Sequence, residues 1–174
     1  MKYFYYYKSP NNFSNIYLLG DGEFLRGLYF ENSNNLKAIN LRSYRMNKEV
    51  FETSISWLNI YFNGENPHFL PKYSLGEISD FRQLVYGDLL KLSFGEVAFY
   101  SYIGEKIAVK KNINSMSSRA VGTAIGKNPI SIIIPCHRII RKDLNIGNYD
   151  GGFENKKNLL ELEGNTIKDF KIVK

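Results

Sequence analysis

The stretch Asn128-Pro129-Ile130-Ser131-Ile132-Ile133-Ile134-Pro135-Cys136-His137-Arg138 organises the reading of this 174-residue chain. Ile130 to Ile134 is a short apolar run rich in β-branched residues, which favours a buried strand. Pro135 ends it and delivers Cys136 and His137 from a rigid support, a suitable way to present a nucleophile. A free thiol has a pKa near ~8.5, so reactivity at neutral pH needs a cation, a helix end or a base close by. His137 follows Cys136 directly, and adjacent residues do not face one another on a helix. It is therefore expected to reach the sulfur through a water molecule, with a carboxylate orienting the far side of its ring. Position alone does not name that carboxylate. The competing reading, a small buried cysteine at the end of an apolar strand, follows from how cysteines are usually placed.

Upstream of this stretch lie short helices. Asp80 reads as a cap, and Phe81, Leu84, Val85, Leu89 and Leu92 form one apolar helical face. Tyr102 to Lys110 carries Ile103 and Ile107, and Ser117 or Ser118 caps a further helix through Ile125, with Val121 and Ala124 inward. Two short helices joined by a polar turn read either as a helix-turn-helix or as plain helix packing. Downstream, Gly147 to Gly152 is a loop, and Phe153 to Glu163 reads as a last helix stopped by Gly164.

The first half is organised differently. Ile16 to Leu19 and Phe24 to Phe30 flank Gly20-Asp21-Gly22, a hairpin signal. Phe51, Ile55, Leu58 and Phe62 recur at helical spacing between Asn47, as N-cap, and Gly64, and Pro67 and Pro71 mark a linker.

Charge divides the chain in the same place. Residues 1–78 hold 8 Lys+Arg against 7 Asp+Glu, whereas residues 79–174 hold 15 against 10. From Lys106 to Lys142 there are eight basic residues and no acidic one. Such a block suits a polyanion, since each neutralised phosphate releases counterions; otherwise it is a solvated basic face. One cysteine excludes an internal disulfide and, with only two histidines, leaves no zinc-site spacing, so a reducing compartment is expected. Met1 to Pro10 is Tyr-rich and lysine-interrupted, without a secretory pattern, and no run approaches membrane-spanning length, so the reading is of a cytoplasmic protein with no membrane partner.

Ile133-Ile134-Pro135-Cys136-His137-Arg138 resembles the active-site signature of the O6-alkylguanine-DNA alkyltransferases, or methylated-DNA-protein-cysteine methyltransferases. The resemblance continues through Phe94-Gly95-Glu96-Val97, Arg119-Ala120-Val121-Gly122, Asn128-Pro129, Gly147-Asn148-Tyr149-Asp150-Gly151-Gly152 and Leu159-Leu160-Glu161-Leu162-Glu163-Gly164, in order and across about half of the chain. It implies an α/β (α+β) protein: a small N-terminal sheet-plus-helix, ribonuclease H-like domain in residues 1–78, and a winged helix-turn-helix-like, DNA-binding and alkyl-accepting domain in residues 79–174.

The implied activity is DNA repair by irreversible, single-turnover transfer of an alkyl group from O6-alkylguanine, or O4-alkylthymine, in a flipped-out base to the protein. Cys136 is the implied acceptor, His137 its base through water, and Glu163 the carboxylate that orients the imidazole. Asn128 braces the turn before the site. Tyr100 crowds the target phosphate and gives a proton to guanine N3, with Tyr102 as the alternative for that role. Arg119, with Ser118 on the same recognition helix, replaces the extruded nucleotide in the stack. Backbone groups near Ile139 read the flipped base, Tyr149 and Gly151 line its pocket, and Arg138 is assigned to the binding set but with a mainly structural role. No cofactor or metal is implied, and the partner is double-stranded DNA met by a monomer. Asp150 and a longer connection between the two short helices depart from the family pattern; Asp150 is expected to tune which alkyl groups fit. A lesion-binding helix-turn-helix protein without chemistry and a thiol hydrolase are the competing functions, the first opposed by the presence of Cys136 and the second by the acid-free basic block.

Overall fold

The computed structural model describes residues 1–173 and mixes helices with strands. Tyr3–Tyr7 (β1), Ile16–Gly20 (β2), Leu25–Phe30 (β3) and Arg45–Met46 (β4) form one sheet in the order β3-β2-β1-β4, antiparallel except for the β1–β4 pair. The β2–β3 hairpin matches the sequence reading. The tyrosine-rich start is a strand that the sequence reading passed over, although aromatic residues suit a half-buried pleated surface. Asn34–Lys37 (α1) follows β3, and Glu52–Phe62 (α2) packs on the sheet. α2 turns Ser54, Trp57, Leu58 and Tyr61 inward, a face rotated from the apolar stripe expected at Phe51, Ile55, Leu58 and Phe62. The expected stripe omitted Ser54, Trp57 and Tyr61; of these, Tyr61 donates its hydroxyl to Glu163 inside the protein, and Trp57 stacks its ring on Tyr61.

Asp80–Leu89 (α3), Tyr100–Lys111 (α4) and Ser118–Gly126 (α5) pack together as three helices. The cap of α3 is Ser79, whose hydroxyl accepts from the Arg82 N–H at 3.4 Å; Asp80, expected there, is the first helical residue, where its charge still favours the helix start. α4 ends on Asn112 at φ 52°, a left-handed stop of the kind asparagine tolerates. Ala98–Phe99 (β5) pairs in parallel with Ile139–Ile140 (β6), Phe153–Leu162 (α6) follows, and Thr166–Lys168 (β7) and Lys171–Val173 (β8) close the described chain as a hairpin.

Ile130 to Ile134 is not the expected strand. Ile130 makes a single parallel bridge to Leu28, and the chain then turns, with the Ile134 N–H donating to the Ile130 carbonyl at 3.0 Å. Ile132 adopts φ 68°, a conformation costly for a β-branched side chain. Burial explains the apolar composition: Ile130, Ile132, Ile133 and Ile134 are all in the core. That core is continuous, running from Tyr7 and Leu18 in the sheet through Tyr61 to Val85, Ile103, Cys136 and Leu159. Among the described residues, no helix is long and apolar enough to cross a membrane.

Candidate active site

The turn that replaces the strand is built by Asn128. Its Oδ1 accepts from the Ile130 N–H at 3.0 Å, and its Nδ2 donates to the Ile134 carbonyl at 2.8 Å and to Cys136 Sγ at 3.0 Å. One buried amide thus closes the turn and aims a donor at the thiol. Cys136–Arg138 continues as a single 3-10 turn, so Cys136 and His137 point different ways. Cys136 is buried in its chain surroundings but lines a cavity of about 330 Å³ with Tyr100, Asn128, Ser131, Tyr149 and Asp150. Burial pushes the thiol pKa up; the Asn128 donor, the Lys156 charge and Tyr149 pull it back, in that order.

His137 is fully buried on the other side. Its Nε2 lies 2.8 Å from Glu163 Oε1, and its Nδ1 is buried without a protein partner. Burial lowers the imidazole pKa against the pull of Glu163, which favours a neutral ring. Glu163 itself is a hub. Burial would raise its pKa, but His137 and Arg138 outweigh that and hold the carboxyl well below the usual range. The ionised carboxylate accepts from Arg138 Nε and Nη2, both at 2.8 Å, from the Gly95 N–H at 3.1 Å and from the Tyr61 hydroxyl at 2.6 Å. An acceptor-only carboxylate at Oε1 makes Nε2 the protonated nitrogen and leaves the Nδ1 lone pair free. Gly95 is required here: at φ 80°, an added Cβ would stand 2.7 Å from the Glu163 carbonyl oxygen.

Arg138 also donates from Nη1 to the Leu92 carbonyl at 2.7 Å. Its guanidinium is buried and spends three bonds on Glu163 and Leu92, in keeping with a mainly structural role. Ile139 is buried, and its carbonyl accepts from Lys156 Nζ at 2.6 Å, leaving one lone pair for another donor. Tyr149 lines the cavity; its hydroxyl approaches Cys136 and Ser131 without hydrogen-bonding geometry to either. Gly151 stands behind that wall and does not line it: a Cβ there would meet the Phe30 ring at 2.5 Å and the Tyr149 ring at 2.7 Å. Tyr100 is half-buried at the cavity, its pKa raised by burial and by Cys136, whereas Tyr102 is turned to a separate groove beside Asp88 and Lys106. Ser118 and Arg119 are exposed at the start of α5 in a groove that shares Tyr100, Gly122 and Asn148 with the cavity. Among the described residues no cluster of His, Cys, Asp and Glu is placed to hold a metal ion.

Comparison with known proteins bears on this arrangement. The family model described as "6-O-methylguanine DNA methyltransferase, DNA binding domain" matches residues 80–165. A methylated-DNA–protein-cysteine methyltransferase of Haemophilus influenzae is 36% identical over 162 residues, 92% of this chain and 86% of that protein. The chain belongs to the methylated-DNA–protein-cysteine methyltransferase family. Another member, from Methanosarcina acetivorans, is 35% identical over 93% of this chain and 98% of its own. The crystal structure of the Mycobacterium tuberculosis O6-methylguanine methyltransferase superimposes with a TM-score of 0.76 at 32% identity, covering 94% of this chain and 93% of that one. The same methyltransferase in complex with DNA gives 0.77, over 91% and 92%.

Two residues of this methyltransferase site escaped sequence reasoning. Lys156 is 1% exposed, with its pKa lowered to about 8 by burial against the opposing influence of Cys136. Its only sequence signal was a lysine on the inward side of a helix. Tyr61 comes from α2 in the other half of the chain, stacks on Trp57 and meets Phe94 and His137 edge-on. Burial first, and then Glu163, raises its pKa well above the ordinary value, so it remains a donor. Tyr61→Phe is expected to lower the unfolding free energy by about 1.5–3 kcal/mol, the range for a hydrogen bond to a charged group. A urea midpoint within error of the unmodified protein would show that the Tyr61 bond to Glu163 does not couple the halves.

Proposed function

We propose that this protein repairs alkylated DNA by moving an alkyl group from guanine O6 to Cys136, each molecule reacting once. The observation that carries the reading is the cavity beside the recognition groove with Cys136 in its wall, backed by the His137–Glu163 pair. Residues 79–174 are proposed as the DNA-binding and acceptor domain and residues 1–78 as its support, in a monomer that meets double-stranded DNA.

A thiolate held inside a cavity has no line of approach to an O6 substituent within a duplex, so the nucleotide must leave the stack. Unstacking costs a few kcal/mol, least where the lesion already weakens pairing. Arg119 fills the vacated place, and backbone and side-chain contacts from α5 hold the phosphates. Cys136 gives its proton, through water, to the free Nδ1 of neutral His137, and Glu163 stabilises the imidazolium. Sγ attacks the alkyl carbon, the S–C bond forms as the C–O6 bond breaks, and the bonding pair passes to the base. Tyr100, kept protonated by its raised pKa, supplies the proton that guanine N3 takes up. The product is a thioether, from which water has no good leaving group to displace, so the protein is spent.

Incubation with duplex carrying labelled O6-methylguanine tests this directly. Label is expected on Cys136 at one equivalent per molecule, with intact mass rising by about 14 Da, the replacement of H by CH3. Continued turnover, or lesion binding without label on the protein, would sink the reading.

A further inference from the structure

We infer that Asp150 gives the acceptor pocket a charge preference, disfavouring O6 adducts that carry a negative charge relative to neutral adducts of the same size. This rests on the reading of Cys136 as the alkyl acceptor and adds the substrate class that the site selects against.

Asp150 lines the cavity that holds Cys136, and it supplies the one carboxylate among the described residues there; no Lys or Arg lines that cavity. Asn34, Tyr100, Asn128, Ser131 and Tyr149 present neutral polar groups. The carboxylate is also fixed. Its Oδ1 accepts from the Asn34 N–H at 3.1 Å, and its Oδ2 accepts from the hydroxyl of Ser33, a residue that is 1% exposed. Asn35 Nδ2 adds a bond to the Gly126 carbonyl at 2.8 Å, so the start of α1 and its cap tie the pocket loop and the end of α5 together. A held charge differs from a mobile surface one: it pays no ordering entropy when substrate arrives and does not swing away into water.

An adduct on O6 projects toward Cys136 through the space that Asp150 borders. A methyl group carries no charge and feels only the size of the cavity. A carboxymethyl group brings an anion beside a fixed anion in a partly desolvated cleft, where like charges several ångströms apart repel by a factor of about 3 to 100 in rate. The thiolate repels it too, in every member of a series that keeps Cys136. The contribution of Asp150 is therefore the part that Asp150→Asn removes. Asparagine keeps an Oδ1 acceptor for the Asn34 N–H and the length of the side chain while deleting the charge.

Single-turnover rates on duplexes of one sequence carrying O6-carboxymethylguanine or its neutral isostere O6-carbamoylmethylguanine give a ratio within each protein. Effects of the substitution on binding or folding cancel in that ratio. The neutral-to-anionic ratio is expected to fall about tenfold in Asp150→Asn, and likewise in Asp150→Ser should the first variant fail to fold. In the unmodified protein, the same ratio is expected to shrink as salt is raised, because screening weakens the repulsion. A ratio unchanged by both substitutions would overturn the inference, whatever its response to salt, while leaving transfer from O6-methylguanine intact. Failure of O6-methylguanine itself to label Cys136 would overturn the parent reading, and this one with it.

Discussion

Glu163→Ala is expected to lower the unfolding free energy by about 3–5 kcal/mol at pH 7, the cost of stripping one partner from a buried ion pair. The side chain is 0% exposed and holds Arg138 through two bonds, His137, Tyr61 and the Gly95 N–H. Without it, a guanidinium with side-chain exposure of 10% keeps only the Leu92 carbonyl, and the imidazole loses the group that fixes its tautomer. Small domains are stable by about 5–15 kcal/mol in total, so much of the margin goes. The alkyl-transfer rate should fall with it, since His137 is no longer oriented. The pH dependence of the unmodified protein has a definite sign. Glu163 has a folded pKa below its unfolded value, so its contribution is complete above about pH 4.3 and is lost as pH falls through the folded pKa. His137, whose folded pKa is lowered chiefly by burial, binds its proton more readily when unfolded and adds a loss in the same direction below about pH 6.5. Urea midpoints should therefore decline from pH 7 to pH 3. An alanine variant within about 1 kcal/mol of the unmodified protein at pH 7 would show that the hub does not hold the site together.

Arg119→Ala is expected to separate two activities. In duplex DNA the rate of alkyl transfer should drop about 100-fold, the equivalent of about 2.7 kcal/mol lost from the stabilisation of an extruded nucleotide. With free O6-benzylguanine, which needs no extrusion, the rate should stay within about threefold. The geometry favours that separation because Arg119 is exposed in the neighbouring groove and does not line the cavity that holds Cys136. Its removal leaves the acceptor chemistry untouched. Equal losses on both substrates would refute the wedge role and place Arg119 in the chemistry or the fold.

The helices of the second half were legible because each carries a full turn-by-turn apolar pattern with a local stop: Val85 and Leu89 in α3, Ile103 and Ile107 in α4, Val121 and Ala124 in α5. Shorter elements were not. β4, β5 and β6 are two residues each, below the length at which alternation can register. The β7–β8 hairpin turns through Asp169 and Phe170, both at positive φ, without the Asn-Gly or Asp-Gly pair that usually marks such a turn. Ile130 to Ile134 misled because burial and β-branching describe a core position as well as a strand, and the turn is decided by the side chain of Asn128.

Composition and motif by themselves picked out the cysteine proposed as acceptor, its neighbouring imidazole, the basic half and the family, since each of these is written in local residue identity. The tertiary structure alone decided that Tyr61, Gly95 and Arg138 converge on Glu163, that Lys156 lies buried behind the pocket, and that Ser33 and Asn34 hold Asp150 in its wall. These pairings join residues 17 to 117 positions apart. A buried polar group must find a partner somewhere, but the chain closure that supplies it is set by packing of the whole core, which leaves no local trace in the order of residues.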